Sequence, residues 1–188
     1  MILSDGDLRA RIKSKELIID PEPPLENFAT SSVDLRVGRQ FWVWRQEANG
    51  VQLNIDCSVA KIPELREYAE EIKPDKKGYI QVPSNGFLLG MTLERLHFPP
   101  ASKLAGRVEG RSTLARLGLG VHITAPIIHA GFNGPITLEF MNHGPHILKL
   151  KAAETCVCQL VVETLTSEPV GELDTVFQHQ TGAFGKHK

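Results

Sequence analysis

The sequence contains no run of about 18 consecutive apolar residues, the length a membrane-crossing helix requires, so no membrane span is expected. The opening residues Met1 to Asp5 have no basic stretch leading into an apolar one, so no secretory leader is expected either. Cysteine is scarce: Cys57, Cys156 and Cys158 cannot all pair with one another, which fits a cytoplasmic chain with reduced thiols. Neither sign of charge is in excess. With 21 Lys and Arg against 22 Asp and Glu, the net charge of -1 excludes a protein that coats nucleic acid. It leaves a nucleotide open as ligand, because one triphosphate needs only a few local cations.

Several chemical signatures are also missing. The zinc deaminase pattern, His-x-Glu followed by Pro-Cys-x-x-Cys, does not occur. Cys156-x-Cys158 is too tight for the usual zinc knuckle. The histidines at 97, 122, 129, 143, 146, 179 and 187 form no His-x-x-x-His pair and no His-x-Glu pair. There is no Walker phosphate loop and no Gly-x-Ser-x-Gly elbow. Hydrolytic chemistry on this chain is therefore expected to run without zinc, without a protein-bound metal and without a covalent serine of that type.

What is present is an ordinary globular balance, 41% hydrophobic and 23% charged over 188 residues, enough for one domain with a real core. No repeat and no interdomain linker interrupts it, so residues 1–188 are read as a single domain. Ser4 followed by Asp7 predicts a capped helix, with Leu8 and Ile12 on its apolar side. Strands are expected over 32–38, 40–45, 78–83, 87–93, 135–141, 147–151 and 156–165. Leu65, Tyr68, Ala69 and Ile72 have helical spacing, so a short helix or an inserted loop is expected within 60–73. Many short strands and few helices predict a mainly β fold, a sandwich or distorted barrel. The polar, glycine-containing tail over 169–188 reads as a mobile arm or as a lid that orders on ligand.

Two segments can carry chemistry. In Gly110-Arg111-Ser112-Thr113-Leu114-Ala115-Arg116 a guanidinium and two hydroxyls follow a glycine, and Arg116 lies about one helical turn on. If a helix begins here, its free N–H groups also point at an anion. A capped helix with solvated arginines is the commoner outcome of such spacing. In Ile136-Thr137-Leu138-Glu139-Phe140-Met141, a strand places Thr137, Glu139 and Met141 on one face and Ile136, Leu138 and Phe140 on the other. A carboxylate flanked by Leu138 and Phe140 is partly desolvated, which suits a proton shuttle. A glutamate on an exposed sheet face is the plainer alternative.

Four linked stretches, in order, closely resemble dCTP deaminase of the dUTPase-like superfamily. They are Ser32-Val33-Asp34-Leu35-Arg36-Val37-Gly38, then Val108 to Leu119 with Val121-His122-Ile123-Thr124-Ala125, then Gly131 to Asn142, and Gln178-His179-Gln180-Thr181-Gly182-Ala183. The resemblance implies a dUTPase-like (β-clip, jelly-roll-like) barrel with a short N-terminal helix and one or two further short helices. It implies a homotrimer with active sites between subunits, and hydrolysis of dCTP to dUTP and ammonia in pyrimidine deoxynucleotide biosynthesis, with dTTP as feedback inhibitor. Glu139 then matches the general base and acid, and Ser112 and Arg116 match the residues that position the water and that base. Ala125 matches a small residue beside the site. Arg111, Thr113 and Gln180 match triphosphate contacts, with Mg2+ riding on the phosphates. Thr137 and Leu138 match the strand that reads the pyrimidine edge. Leu114 and Ala115 belong to the same motif.

Two positions depart from the family's pattern. Ile128-His129-Ala130-Gly131 stands where the family usually has Ile-Asp-x-Gly. In dUTPases and in deaminases that also release diphosphate, that aspartate contacts the sugar and activates water for phosphate cleavage. His129 can still bond the sugar hydroxyl, and it fits the diphosphatase base less well. In the tail, the family often has a tyrosine and a lysine that grip phosphate; here Val176 stands at the lysine position, Phe177 follows it, and no tyrosine occurs after Tyr79. The readings kept open are a dUMP-forming bifunctional enzyme, a non-catalytic nucleotide-binding paralogue, and a deaminase acting on dCMP or a modified cytosine nucleotide.

Overall fold

The computed structural model describes residues 1–45 and 54–185. Its first element is helix α1, Asp5–Lys13, capped by Ser4, whose hydroxyl accepts from the Asp7 amide. The strands follow in chain order. The first six are β1 Ile18–Asp20, β2 Phe28–Ala29, β3 Ser32–Trp44, β4 Ala69–Ile72, β5 Tyr79–Val82 and β6 Phe87–His97. After β7, Leu104–Gly110, comes the five-residue helix α2, Ser112–Arg116. The last five strands are β8 Leu119–Gly120, β9 Ile127–Ile128, β10 Asn133–Asn142, β11 Leu148–Lys151 and β12 Cys156–Thr164. Short 3-10 turns lie at Leu25–Asn27, Ile62–Tyr68 and Pro100–Ser102.

Ten of these strands join one curled antiparallel sheet in the order β8-β10-β6-β3-β12-β7-β9, with β1, β2 and β4 paired at its margins. β5 and β11 form a separate two-stranded ribbon. The fold is thus the expected mainly β, half-closed barrel. The stretches 32–38 and 40–45 are one strand rather than two. β3 makes the curl possible: its first part pairs with β12 and its last part with β6 and β4. The change falls at Gly38, where an added Cβ would meet the Met91 carbonyl at 3.0 Å and the Thr92 carbonyl at 3.1 Å. The absence of a side chain there lets the two backbones cross closely.

Residues 60–73 are a 3-10 turn over Ile62–Tyr68 followed by a strand, so the expected short helix holds only for the first part. Ala69 and Ile72 have helical spacing, but they serve as register partners of Trp44 and Phe41 on β3. Pairing with a distant strand overrides the local pattern.

Val33, Leu35, Val37, Phe41, Leu138 and Phe140 are all fully buried and form the centre of the main core. Gly90 on β6 leaves room there, since a Cβ would sit 2.8 Å from the Phe140 ring and 3.1 Å from Phe41. A second, smaller cluster lies on the other face of the sheet and contains Trp42, Leu89, Met91, Ala183 and Phe184. The last two belong to the tail, which is docked here against the sheet. Phe184 meets Trp42 and Trp44 edge to face at centroid distances of 6.2 and 5.6 Å. Residues 186–188 of the expected arm lie outside the described residues. Among the described residues no helix is long and apolar enough to cross a membrane.

Candidate active site

The functional face is set by the alternation along β10. Leu138 and Phe140 turn into the main core and are fully buried. Thr137 and Glu139 therefore point the opposite way, beside Met91 and Leu89, their register partners on β6. That face is the floor of a cleft of about 630 Å³, a size suited to a nucleotide-sized ligand. Ala125, His129, Thr137, Leu138, Glu139 and Gln180 all line it, so six of the expected substrate residues converge on one space. One wall is the 122–129 segment, and the tail from Leu173 to Phe184 forms another.

Glu139 is half-buried, and its Oε2 accepts the Ile123 amide at 3.3 Å. This contact ties the carboxylate to the loop that carries Ala125. Gln180 is 2% exposed; its Nε2 donates to the Pro135 carbonyl at 2.7 Å, and Thr137 Oγ1 lies 3.5 Å from its Oε1. Gln178 is bound in the same way, its Nε2 donating to Gly131 and its Oε1 accepting from Asn133. The two glutamines thus stitch the tail to the start of β10, and His129 stands exposed on the loop between.

The second expected segment is placed differently. None of residues 111–116 lines the cleft. Ser112, Thr113, Ala115 and Arg116 are exposed on α2, while Leu114 packs against the core and anchors the helix. The helix ends where Gly118 and Gly144 cross. Gly118 has φ +95, a Cβ on it would lie 2.3 Å from the Gly144 nitrogen, and the His143 amide donates to its carbonyl at 2.8 Å. Asn142, fully buried at the end of β10, fixes the other side of this crossing, its Oδ1 accepting from Gly144 and its Nδ2 donating to Val82 and His146. Arg111 turns back onto its own chain, with Nη2 2.9 Å from Asp34 Oδ2 and Nη1 donating to the Cys156 carbonyl at 3.1 Å.

Sequence reasoning missed the aromatic walls, Trp44, Phe87, Phe132, Phe177 and Phe184, which make the cleft largely apolar. The aromatic residues of 40–45 are the signal that could have found Trp44. It also missed Asp34 as the partner of Arg111. Among the described residues, no group of three or more His, Cys, Asp and Glu side chains comes together as a metal-ligand set. The chemistry such a cleft supports is recognition of a flat ring against apolar walls, with a single carboxylate to move a proton.

Comparison with known proteins gives four findings. A family described as dCTP deaminase-like matches residues 2–165. A dCTP deaminase of Natronomonas pharaonis is 36% identical over 188 residues, covering 97% of this chain and 92% of that one. A dUMP-forming dCTP deaminase of Persephonella marina is 35% identical over 182 residues, covering 97% and 94%. Among solved structures, the crystal structure of 2'-deoxycytidine 5'-triphosphate deaminase from Agrobacterium tumefaciens superposes with a TM-score of 0.64 at 18% identity. It covers 87% of this chain, which spans only about half, 48%, of that protein. At that identity the likeness is one of fold.

Proposed function

The chain belongs to the dCTP deaminase-like family, and from that membership we propose that it hydrolyses dCTP to dUTP and ammonia, with Glu139 as the proton shuttle. The observation that carries this reading is the position of Glu139 on the cleft floor beside Thr137, with its carboxylate half-buried and held by the Ile123 amide. A water attacks C4 of the cytosine ring. Glu139 takes one proton from the water and passes it to N3 of the ring, then takes the second from the new C4 hydroxyl and passes it to the leaving amine, so dCTP and water become dUTP and ammonia with no redox change. Thr137 and the backbone of Leu138 read the pyrimidine edge, Ala125 leaves room beside the ring, and His129 bonds the sugar hydroxyl. Thr113, on the α2 of a second copy, takes up phosphate, joined by Gln180 when it gives up its bond to Pro135. The substrate is the magnesium complex of the nucleotide. No zinc is needed; support for this comes from the missing zinc deaminase motif and from a carboxylate that can do the proton work.

Ser112 and Arg116 orient the water and Glu139 from a second copy of the chain. Support for this comes from their exposure on α2, away from the cleft that holds Glu139. A homotrimer with sites between subunits satisfies that requirement. dTTP, which keeps the sugar and phosphates but carries an oxygen at C4, fits the same cleft as a feedback inhibitor. The unpaired cysteines fit a cytoplasmic setting.

A second reading is kept because a relative of nearly equal similarity is named as dUMP-forming. His129 weighs against it, because an imidazole stands where a carboxylate would activate water for phosphate cleavage. The test is to incubate the purified protein with Mg2+ and dCTP, dCMP or dUTP, and to assay ammonia and diphosphate. Ammonia from dCTP without diphosphate is the expected result. Diphosphate release supports the second reading, turnover of dCMP alone moves the substrate, and binding without any turnover rejects both.

A further inference from the structure

The cleft floor depends on a slip in the ladder between β6 and β10. From Asn133 to Pro135 the strands run in one register, with Pro135 opposite Arg95. From Thr137 onward they run in another, with Thr137 opposite Met91 and Glu139 opposite Leu89. Between the two stretches β10 has one residue, Ile136, and β6 has three, Thr92, Leu93 and Glu94. Carried on unbroken, the first register would set Thr137 against Leu93 and Glu139 against Met91, each two residues back along β6. At about 3.4 Å per residue, that is a displacement of about 7 Å. The bulge therefore decides which part of the cleft floor Thr137 and Glu139 reach.

Thr92 fills this bulge. It is 4% exposed, and its hydroxyl accepts the Ile136 amide at 2.9 Å and donates to the Glu94 carbonyl at 2.7 Å. One side chain thus replaces the strand partner that the slip takes from Ile136. Thr92 is itself fixed from the opposite edge of β6. Its register partner on β3 is Val37, and the fully buried Glu94, two residues on, accepts the Arg36 amide at 2.8 Å and Arg36 Nε at 2.7 Å. A buried charge held by two hydrogen bonds does not move cheaply. Both neighbours of Ile136 lead to the tail: the Pro135 carbonyl accepts Gln180 Nε2 at 2.7 Å, and Thr137 Oγ1 lies 3.5 Å from Gln180 Oε1. Glu139 is secured separately, by the regular pairs beyond Thr137 and by the Ile123 amide.

We propose that Thr92 is a positioning residue for substrate recognition: through its bond to the Ile136 amide, it sets where Thr137 meets the pyrimidine ring. The proposal rests on the deaminase reading above, and its test separates the two. Removing the hydroxyl leaves a part-buried N–H without a partner, a loss the chain relieves by shifting at Ile136. The shift falls first on Thr137, the next residue, and less on Glu139, which has its own anchors. The signature of Thr92 is therefore a loss of recognition more than a loss of rate.

The experiment uses the full chain with Thr92→Val, which keeps the shape, and Thr92→Ser, which keeps the hydroxyl. Thr137→Val and the Thr92→Val/Thr137→Val pair are added, with Leu8→Val as a core change in α1, outside the cleft. Ammonia release from dCTP and dCMP is assayed well below the thermal transition of each variant, and amide hydrogen exchange is followed over 136–139. Thr92→Val should raise KM about tenfold for both nucleotides with kcat kept within about threefold, the equivalent of one hydrogen bond to the ring. Thr92→Ser should stay within about threefold of wild type, and the pair should fall no further than the worse single change. Exchange should speed up at Ile136 and on through Thr137 in Thr92→Val, and stay slow in Thr92→Ser. Leu8→Val should lower the melting temperature and leave KM alone. A purely structural Thr92 would lower the melting temperature without moving KM, and that result overturns the proposal. So does a Thr92→Ser as impaired as Thr92→Val, a KM unchanged in Thr137→Val, losses that add in the pair, or a KM increase confined to dCTP. If the wild-type chain releases no ammonia from any cytosine nucleotide, the deaminase reading fails and exchange alone decides. Faster exchange through Thr137 then keeps Thr92 as the holder of this register, and a change confined to Ile136 overturns it.

Discussion

Glu139 stands in the middle of β10, with β6 bonded along its strand and the docked tail closing over its face, whereas Ser112 and Arg116 ride a helix of five residues with solvent over their side chains. The first region is a finished wall: floor, aromatic sides and a carboxylate whose place is fixed by neighbours within one chain. The second is a display, firmly held at both ends and facing outward. Under the proposed reading, these exposed side chains serve the site of a partner copy. On that reading, the contrast separates what one chain builds by itself from what it contributes to another.

The largest effect is expected at the finished wall. Glu139→Gln keeps the shape and removes the base, so turnover should fall by about 10²-fold or more while nucleotide binding by calorimetry stays within a few-fold. Near-normal turnover would take Glu139 out of the mechanism. The contrast itself is broken or kept by mixing. Chains carrying Glu139→Gln and chains carrying Arg116→Ala are each expected to be nearly inactive. Co-expressed in equal amounts, they should regain about a quarter of the wild-type sites if each site takes Glu139 from one copy and Arg116 from another. No regain on mixing would put both residues in the same chain's site.

The display depends on how α2 is held, which gives the next largest effect, now on stability. Gly118→Ala forces a Cβ into the left-handed region and to 2.3 Å from a backbone nitrogen, and should cost about 3 kcal/mol in denaturant unfolding. A loss under about 1 kcal/mol would mean that the crossing gives way easily and that α2 is not fixed at its C-terminal end. On the wall side the matching change is Phe184→Ala, which removes the ring set against Trp42 and Trp44. It should cost about 1–2 kcal/mol, speed proteolysis of the tail and raise KM several-fold with kcat retained. Unchanged proteolysis would show that Gln178 and Gln180 hold the tail without it.

The two regions were not equally legible. The wall follows from period two, since once Leu138 and Phe140 are assigned to the core, Glu139 must face away. The cleft above it was not visible, because its aromatic sides come from β3, β6 and the tail, brought together only by the fold. Polar composition suggested a mobile arm or a lid that orders on ligand over 169–188; it did not show that Gln178 and Gln180 spend their amides on backbone groups of 131–135 or that Phe184 is buried. For α2, the sequence carries the helix and its arginines but not their directions. Arg111 and Arg116 look alike in a one-dimensional reading, and only the distant Asp34 distinguishes them. Residues 69–72 show the same limit, because a spacing of three and four residues suits a helix until a strand elsewhere offers a register.

The smallest effect concerns β12, the strand spanned by the Asp34–Arg111 ion pair. Burial, and then the neighbouring Glu94 and Asp34 carboxylates, push the Cys158 thiol well above its ordinary pKa, while Cys57 is exposed. At pH 8, iodoacetamide should therefore modify Cys57 in the native protein and leave Cys158 intact until the chain is unfolded. The linkage has a definite sign. A thiol whose folded pKa is raised contributes its stability in full below the unfolded value of about 8.5, and loses it as pH climbs from there toward the folded value. Wild-type protein should thus lose about 1 kcal/mol more than Cys158→Ala between pH 8 and pH 9.5, read from urea midpoints at each pH. Equal losses, or native-state modification of Cys158 at the rate of Cys57, would mean that β12 opens under α2. A strand that opens there cannot carry a rigid span from Asp34 to Arg111, and the outward-facing half of the site would then be mobile where the wall is fixed.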